Sequence, residues 1–266
     1  QLEQIDDKGD YKKLLQHMFH STPFPRRLFL QSCFFFYKYM FPLGIEKGKA
    51  NDMLKEITPV RKRGAISVAI VTRNRAKLLE RSLFSLMRQT VSPKEILIID
   101  NASTDGTKEM ALSFKRIANI GYFYEPRIGI PFARNRVLKE AREEIIAFMN
   151  DDCEVIPGWV EEIIKAHKRY PHSAAIQGSC SILPEGELLS QVVQEDYDRW
   201  IRQHLDHGSN NLRIADLANF SVKKSIIQKH NIFFDTRFQK YYYCEDVDFA
   251  NQLFEKNQVI TYCPEV

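Results

Sequence analysis

Between residues 66 and 149 the chain alternates, four times over, an unbroken apolar run with a stretch of helical or turn-and-helix character, and few folds accept such a pattern. Ile66 to Thr72 (ISVAIVT) is a β-branched run of the kind expected for a strand buried on both faces. Arg75 to Gln89 follows with Leu78, Leu79, Ser82, Leu83 and Leu86 at helical spacing, and Pro93 is expected to break the chain. Glu95 to Asp100 (EILIID) reads as a second buried strand, and Ser103 to Thr107 as turn and cap chemistry opening a helix. Gly121 to Tyr124 is a third strand, Pro131 to Ala141 a helix with proline near its first turn, and Glu144 to Met149 a fourth strand. The expectation is an α/β domain: a mostly parallel sheet flanked by helices with right-handed crossovers.

Composition excludes other classes. Cysteines number five (Cys33, Cys153, Cys180, Cys244, Cys263), widely spaced and without a C-x-x-C pair, so neither a disulfide framework nor a zinc knuckle is indicated and a reducing, cytoplasmic compartment is expected. The net charge of +4 is too small a bias to imply nucleic-acid binding. It is also localised: residues 1–63 hold 12 basic and 7 acidic side chains, the remainder 26 and 27. No run reaches the roughly 18 apolar residues of a membrane helix. The nearest approach, Leu28 to Leu43, contains Gln31, Ser32 and Lys38.

Residues 1–63 therefore read as a helical, basic and aromatic N-terminal extension, ending at Arg61-Lys62-Arg63-Gly64. Three readings stay open for it. Residues 26–43 suit peripheral contact with an anionic membrane, at its inner face; a helical layer packed on the following domain explains them equally; and the stretch resembles the tail of a preceding domain. Residues 64–266 form the second unit, which stops just after a strand-like VITYC and reads as trimmed at its C-terminus.

Ligands of such sheets bind beyond the carboxyl ends of the strands. Polar residues gather there: Thr72, Arg73, Asn74 and Arg75 after the first strand, Asp100 and Asn101 after the second, and Asn150, Asp151 and Asp152 after the fourth. Adjacent buried carboxylates repel each other unless a cation or hydrogen-bond donors offset them. A hard divalent ion, Mg²⁺ or Mn²⁺, takes one or two carboxylates and completes its shell with water and phosphate oxygens, which suits a diphosphate leaving group. A second acidic cluster, Glu245, Asp246 and Asp248, follows Tyr241-Tyr242-Tyr243 and opens a helix over Phe249 to Lys256, where capping is the plain explanation. His204 and His207 on the amphipathic stretch from Tyr197 to His207 have a spacing that could hold metal, without an acidic third ligand nearby.

SVAIVTRNR (Ser67 to Arg75), EILIIDNASTDGT (Glu95 to Thr107), RIGIPFARNRVLKEA (Arg127 to Ala141) and IIAFMNDDCEVIPGWV (Ile145 to Val160) resemble, in order and spacing, the motifs of family 2 glycosyltransferases with the GT-A fold. The resemblance runs from about Ala65 to the end of the chain. It implies transfer of a sugar, with inversion, from a nucleotide-diphospho-sugar, a UDP-sugar first, to the hydroxyl of a glycan or lipid-linked acceptor, in surface-polysaccharide or glycoconjugate assembly. By the same resemblance Thr72, Asn74, Arg75, Asp100, Asn101, Arg134, Asn135 and Asp151 bind the donor, and Asp152 holds the divalent metal. Asp246 is the catalytic base, with Glu245 contacting or orienting the acceptor and Asp248 a cap or supporting acid. Asn101 stands where a second Asp is commoner, and Asn150 where a first Asp is frequent. Ala218 to Val222 and Phe233 to Phe238 resemble the acceptor-side segment, where Trp200, Phe220 and Tyr241 to Tyr243 are candidates for stacking on sugar. Many relatives carry a metal-binding His after the last strand, for which the residues up to Val266 offer no counterpart.

Competing classes are a non-catalytic glycan-binding relative and a receiver-like signalling domain, which would be about half this long. A nucleotidyltransferase is disfavoured because no glycine-rich phosphate loop follows the first strand.

Overall fold

The computed structural model describes residues 63–116, 118–181, 187–206, 208–240 and 244–266. The N-terminal extension with its 26–43 segment, His207 and Tyr241 to Tyr243 lie outside the described residues.

Strands β1 (Arg63–Thr72), β2 (Ser92–Asp100), β3 (Ile120–Tyr124) and β4 (Ile145–Asn150) pair in parallel, as the alternation predicts. Four further strands follow: β5 (Ala175–Gln177), β6 (Asn211–Leu212), β7 (Phe220–Lys223) and β8 (Ile260–Tyr262). The eight-stranded sheet runs β3-β2-β1-β4-β7-β5-β8-β6. β7 enters antiparallel to β4 and β5, and β6 antiparallel to β8, so the sheet is mixed.

The unbroken apolar runs have a direct physical reason, since alternate side chains of each strand feed two different cores. Ala69, Leu97, Ile99, Ile146 and Phe148 pack with Ala133 and Val137 of α3 (Ile130–Glu140) and with Phe249 and Leu253 of α7 (Glu245–Glu255). Val68, Ile70, Ile96, Ile98 and Ala147 pack with Leu79 and Leu83 of α1 (Ala76–Met87), Ala111 of α2 (Thr107–Ser113), and Trp159, Val160 and Ile163 of α4 (Trp159–Arg169). Two further α-helices among the described residues are α5 (Glu187–His204) and α6 (Lys224–His230).

Pro93 does not break the chain before β2; it is the strand's second residue, opposite Gly64, just where the β1 ladder shifts register between Gly64 and Ser67. Proline is tolerated at such a strand start, where an N–H is not required.

Register decides where the polar clusters fall. Thr72 is level with Asp100, Asp100 with Tyr124, and Val71 with Asn150, so four strand ends form one rim. The reversal at β7 adds a fifth contributor. Phe220 pairs with Phe148 and Gln177, which brings the segment preceding β7 back to the rim beside Asp151 and Asp152.

Candidate active site

The rim begins with loops pinned to one another. The Asn101 N–H donates to the Thr72 carbonyl (2.9 Å) and the Glu125 N–H to the Asp100 carbonyl (2.8 Å). Asn74 adopts a left-handed φ of 54°, which asparagine tolerates better than most residues. Its N–H donates to Ser103 Oγ (2.9 Å) and its Oδ1 accepts the Thr104 N–H (2.7 Å). The Asp100 carboxylate accepts the Ser103 N–H (2.8 Å) and the Tyr122 hydroxyl, which burial and this anion together hold protonated.

Asn101 ties down the loop after β3. Its Oδ1 accepts the Gly129 N–H (2.8 Å) and its Nδ2 donates to the carbonyls of Arg127 (2.7 Å) and Glu125 (3.4 Å). Gly129 has φ 143°, and a Cβ there would meet Gln239 Cβ at 3.0 Å, so glycine is required at this approach. An aspartate at 101 would keep the acceptor for Gly129 but lose the donor to Arg127, which is why asparagine suits this loop.

Asp151 and Asp152 follow β4 directly, and Arg75 serves both: its Nη1 donates to Asp151 Oδ1 (2.9 Å) and Asp152 Oδ2 (3.3 Å). Side-chain exposure is 21% for Arg75, 5% for Asp151 and 21% for Asp152. Burial pushes the Asp151 carboxyl up to about 6, against the pull of Arg75 and with the help of Asp152. Ser82 of α1 fixes the turn by donating to the carbonyls of Asp151 (2.9 Å) and Cys153 (2.6 Å). Thr72 is buried, its hydroxyl next to the Asp151 carboxylate without completing a hydrogen bond. Thus the cation that the adjacent carboxylates require is, in this structure, a guanidinium.

The second constellation lies at the start of α7. Glu245 is buried and paired with Arg134 of α3, whose Nη1 donates to Glu245 Oε1 at 2.7 Å. Asp246 is half-buried; burial, then the neighbouring Glu245, raise its carboxyl well above the ordinary range, and Arg134 opposes them. Asn135 locks the approach to this helix by donating from Nδ2 to the Phe234 carbonyl (2.7 Å) and accepting the Phe234 N–H at Oδ1 (2.9 Å). The Phe234 ring in turn stacks on Phe249 of α7, with centroids 4.3 Å apart. Asp248 does not cap α7; it accepts from Gln252 one turn later (2.7 Å).

Sequence reasoning missed Asp216. It interacts electrostatically both with Asp246 and with Cys153, the residue after the Asp151–Asp152 pair. Burial raises its carboxyl, while the Ala218 N–H (3.0 Å), the Tyr197 hydroxyl, Arg134 and the Cys180 thiol counter that. Gln177 at the end of β5 holds the backbone here: its Oε1 accepts the Asp216 N–H (2.8 Å), and its Nε2 donates to the Asp216 (3.2 Å) and Asn219 (3.0 Å) carbonyls. The available signal was an acid inside the apolar stretch Ile214-Ala215-Asp216-Leu217.

Some candidates belong elsewhere. Phe220 is fully buried and packs edge-on against Phe249, so it is core and presents no face to sugar. Trp200 packs against the same core, and the His204 Nδ1 is within hydrogen-bond distance of the Trp200 carbonyl (2.8 Å), away from any metal cluster. Among the described residues no group of three or more His, Cys, Asp and Glu is arranged to hold a metal by itself. No helix among them is long and apolar enough to cross a membrane.

The family model for Glycosyl transferase family 2 matches residues 67–231. Validoxylamine A glucosyltransferase of Streptomyces hygroscopicus subsp. limoneus is 31% identical over 119 residues, which are 43% of this chain and 26% of that protein. The GalNAc(5)-diNAcBac-PP-undecaprenol beta-1,3-glucosyltransferase of Campylobacter jejuni is 31% identical over 130 residues, 47% of this chain and 41% of the relative. The chain thus spans less than half the length of these two relatives. Among solved structures, the mannosyltransferase PcManGT from Pyrobaculum calidifontis in complex with GDP-Man and Mn²⁺ superposes with a TM-score of 0.58 at 19% identity, covering 90% of this chain and 65% of that one. S. aureus TarS 1-349 in complex with UDP-GlcNAc gives 0.57 at 16% identity, covering 76% and 56%. The α/β architecture expected from the motifs is the one observed, and with the family model spanning more than half of its residues, this chain belongs to glycosyl transferase family 2.

Proposed function

We propose that this chain transfers a sugar, with inversion, from a nucleotide-diphospho-sugar to an acceptor hydroxyl at the rim between β4 and α7. The observation that carries the reading is the pair Asp151 and Asp152 directly after β4, with the acids of α7 reached through Asp216, which interacts electrostatically with both Cys153 and Asp246. Asp100, Asn101 and Thr72 form the end of the rim for base and ribose. The loop that Asn101 pins and the clasp made by Asn74 hold that end in shape. Of the solved neighbours named above, one is in complex with UDP-GlcNAc and the other with GDP-Man; a UDP-sugar is the donor we assign first.

The residues present fit a divalent ion. Asp152 is partly exposed and offers hard oxygen at the diphosphate position, and Asp151 stands beside it. Mg²⁺ or Mn²⁺ there would neutralise charge developing on the departing diphosphate. Arg75, already aimed at both carboxylates, supplies a second cation at the same point.

Asp246 takes the proton of the acceptor hydroxyl as its oxygen bonds to the anomeric carbon and the bond from that carbon to the diphosphate breaks on the opposite face. Its raised affinity for a proton suits that task. Glu245, engaged by Arg134 and the Cys244 N–H, orients the helix start. A glycan or lipid-linked acceptor is in keeping with the polyprenol-linked substrate named for the Campylobacter relative.

The test is a panel of UDP- and GDP-sugars, with and without Mn²⁺, measured by calorimetry against the parent and Asp152→Ala. The parent binds one donor in a Mn²⁺-dependent way and the variant loses that dependence. Equal, metal-independent donor binding by both proteins would overturn the assignment of Asp152.

A further inference from the structure

Two acids open α7 side by side, and their surroundings treat them differently. Glu245 has both oxygens occupied: Oε1 takes the Arg134 guanidinium at 2.7 Å and Oε2 the Cys244 N–H at 3.2 Å. The pair is shut away from water, with 11% of the Arg134 side chain and 3% of the Glu245 side chain exposed, and Arg134 lies 5.6 Å over the Phe234 ring. Asp246 has one oxygen on the Val247 N–H (2.8 Å), and its other oxygen carries no hydrogen bond among the described residues.

Arg134 cannot drift from this position. Its neighbour Asn135 is fixed to the Phe234 backbone in both directions, and Phe234 is stacked on Phe249 of the same helix that carries the two acids. Among the described residues the charged groups acting on Asp246 are Glu245 on its own helix, Arg134 from α3, and Asp216 from the segment before β7. Two anions and one cation surround it, and the cation is bonded to one of the anions.

We propose that Arg134 is a positioning residue that divides the labour of the two acids: it engages Glu245 in a buried ion pair and thereby leaves Asp246 as the carboxylate that exchanges protons with the acceptor. This rests on reading the site as that of a sugar transferase. The chemistry is general, since two adjacent buried carboxylates without a matched cation would share protons and neither would be a defined base.

The experiment uses the full chain with ¹³C-carboxyl-labelled aspartate, the Asp246 signal being assigned by its loss in Asp246→Asn. Its pH titration is followed by NMR in the parent, Arg134→Gln, Glu245→Gln and the double variant, and the acid limb of kcat/KM against pH is measured in parallel. Loss of the cation moves the Asp246 titration, and the acid limb with it, to higher pH by about one unit or more, the usual effect of an opposite charge within ~4–6 Å. Glu245→Gln moves both to lower pH, because Arg134 then acts on Asp246 unshared. The double variant returns to within about half a unit of the parent, since a charge of each sign has gone.

Titrations that stay put in both single variants, with kcat lowered equally at every pH, would overturn the proposal and leave Arg134 a structural residue. Should Arg134→Gln not fold, Arg134→Lys, which keeps the charge, must leave the titration near that of the parent, and Glu245→Gln still decides the sign. Failure of the transferase reading shows separately, as titration shifts of the expected sign in a parent that transfers sugar from no nucleotide donor.

Discussion

Replacing Arg75 by Gln removes the one guanidinium that bonds both Asp151 and Asp152 at the end of β4, at 2.9 and 3.3 Å. Breaking a fully buried ion pair by removing one partner costs about 3–5 kcal/mol. Here Arg75 and Asp152 each keep 21% of their side-chain surface in water, and the Asp151 carboxyl, already up at about 6, escapes part of the penalty by taking a proton. The expected loss at pH 7.5 without metal is therefore about 2–3 kcal/mol, or roughly 5–10 °C in the unfolding midpoint of a domain this size. An ion that binds the same carboxylates replaces the missing charge. At one hundred times its dissociation constant it restores about 2.7 kcal/mol by mass action.

In the parent the guanidinium already offsets part of the carboxylates' charge, so Mn²⁺ stabilises Arg75→Gln more than it stabilises the parent. Urea unfolding of both proteins across a Mn²⁺ series measures the difference. The reasoning fails if the metal-free variant is as stable as the parent, or if Mn²⁺ raises the parent's stability more than the variant's.

Two further outcomes follow from buried groups. The His167 Nε2 lies 3.0 Å from Ser221 Oγ, and burial, aided by Lys223, depresses its pKa to about 4 from an ordinary 6.5. The unfolded chain then binds the extra proton between those values, so stability falls as pH drops from 6.5 to 4, by about 3 kcal/mol. Asp151, raised to about 6, has the opposite slope, and the difference in urea stability between the parent and His167→Gln cancels it; that difference must fall with pH over this window. Asn101→Ala removes the bonds to Gly129 and Arg127, which costs about 2–3 kcal/mol and leaves buried backbone groups unpaired. Hydrogen exchange should quicken first at the Gly129 amide, and an unchanged rate there would contradict the role given to Asn101.

What could be read from the sequence was what local pattern dictates. The four parallel strands and their helices announce themselves because strands buried on both faces must be apolar throughout, and the acids at their ends because register places them on one rim. Pairings across long stretches of chain were not legible: Arg75 meets Asp151 76 residues away, and Arg134 meets Glu245 across 111. Their motifs point to a donor diphosphate, yet the structure spends both guanidinia on carboxylates. Asn101 and Asn135 carry no mark that distinguishes a ligand contact from a bond to a distant backbone, and both make the latter. Asp216 lay in plain view, but only the antiparallel return of β7 brings its segment to Cys153 and Asp246.

The central claim is that Asp246 accepts the acceptor's proton at a site whose donor end is built elsewhere on the rim. Asp246→Asn keeps the shape and removes the base, so the decisive measurement is donor affinity beside single-turnover sugar transfer in this variant. The account predicts unchanged nucleotide-sugar binding with transfer slowed by about 10²–10⁴, the usual contribution of a general base. Transfer at the parent's rate, with binding intact, would contradict it.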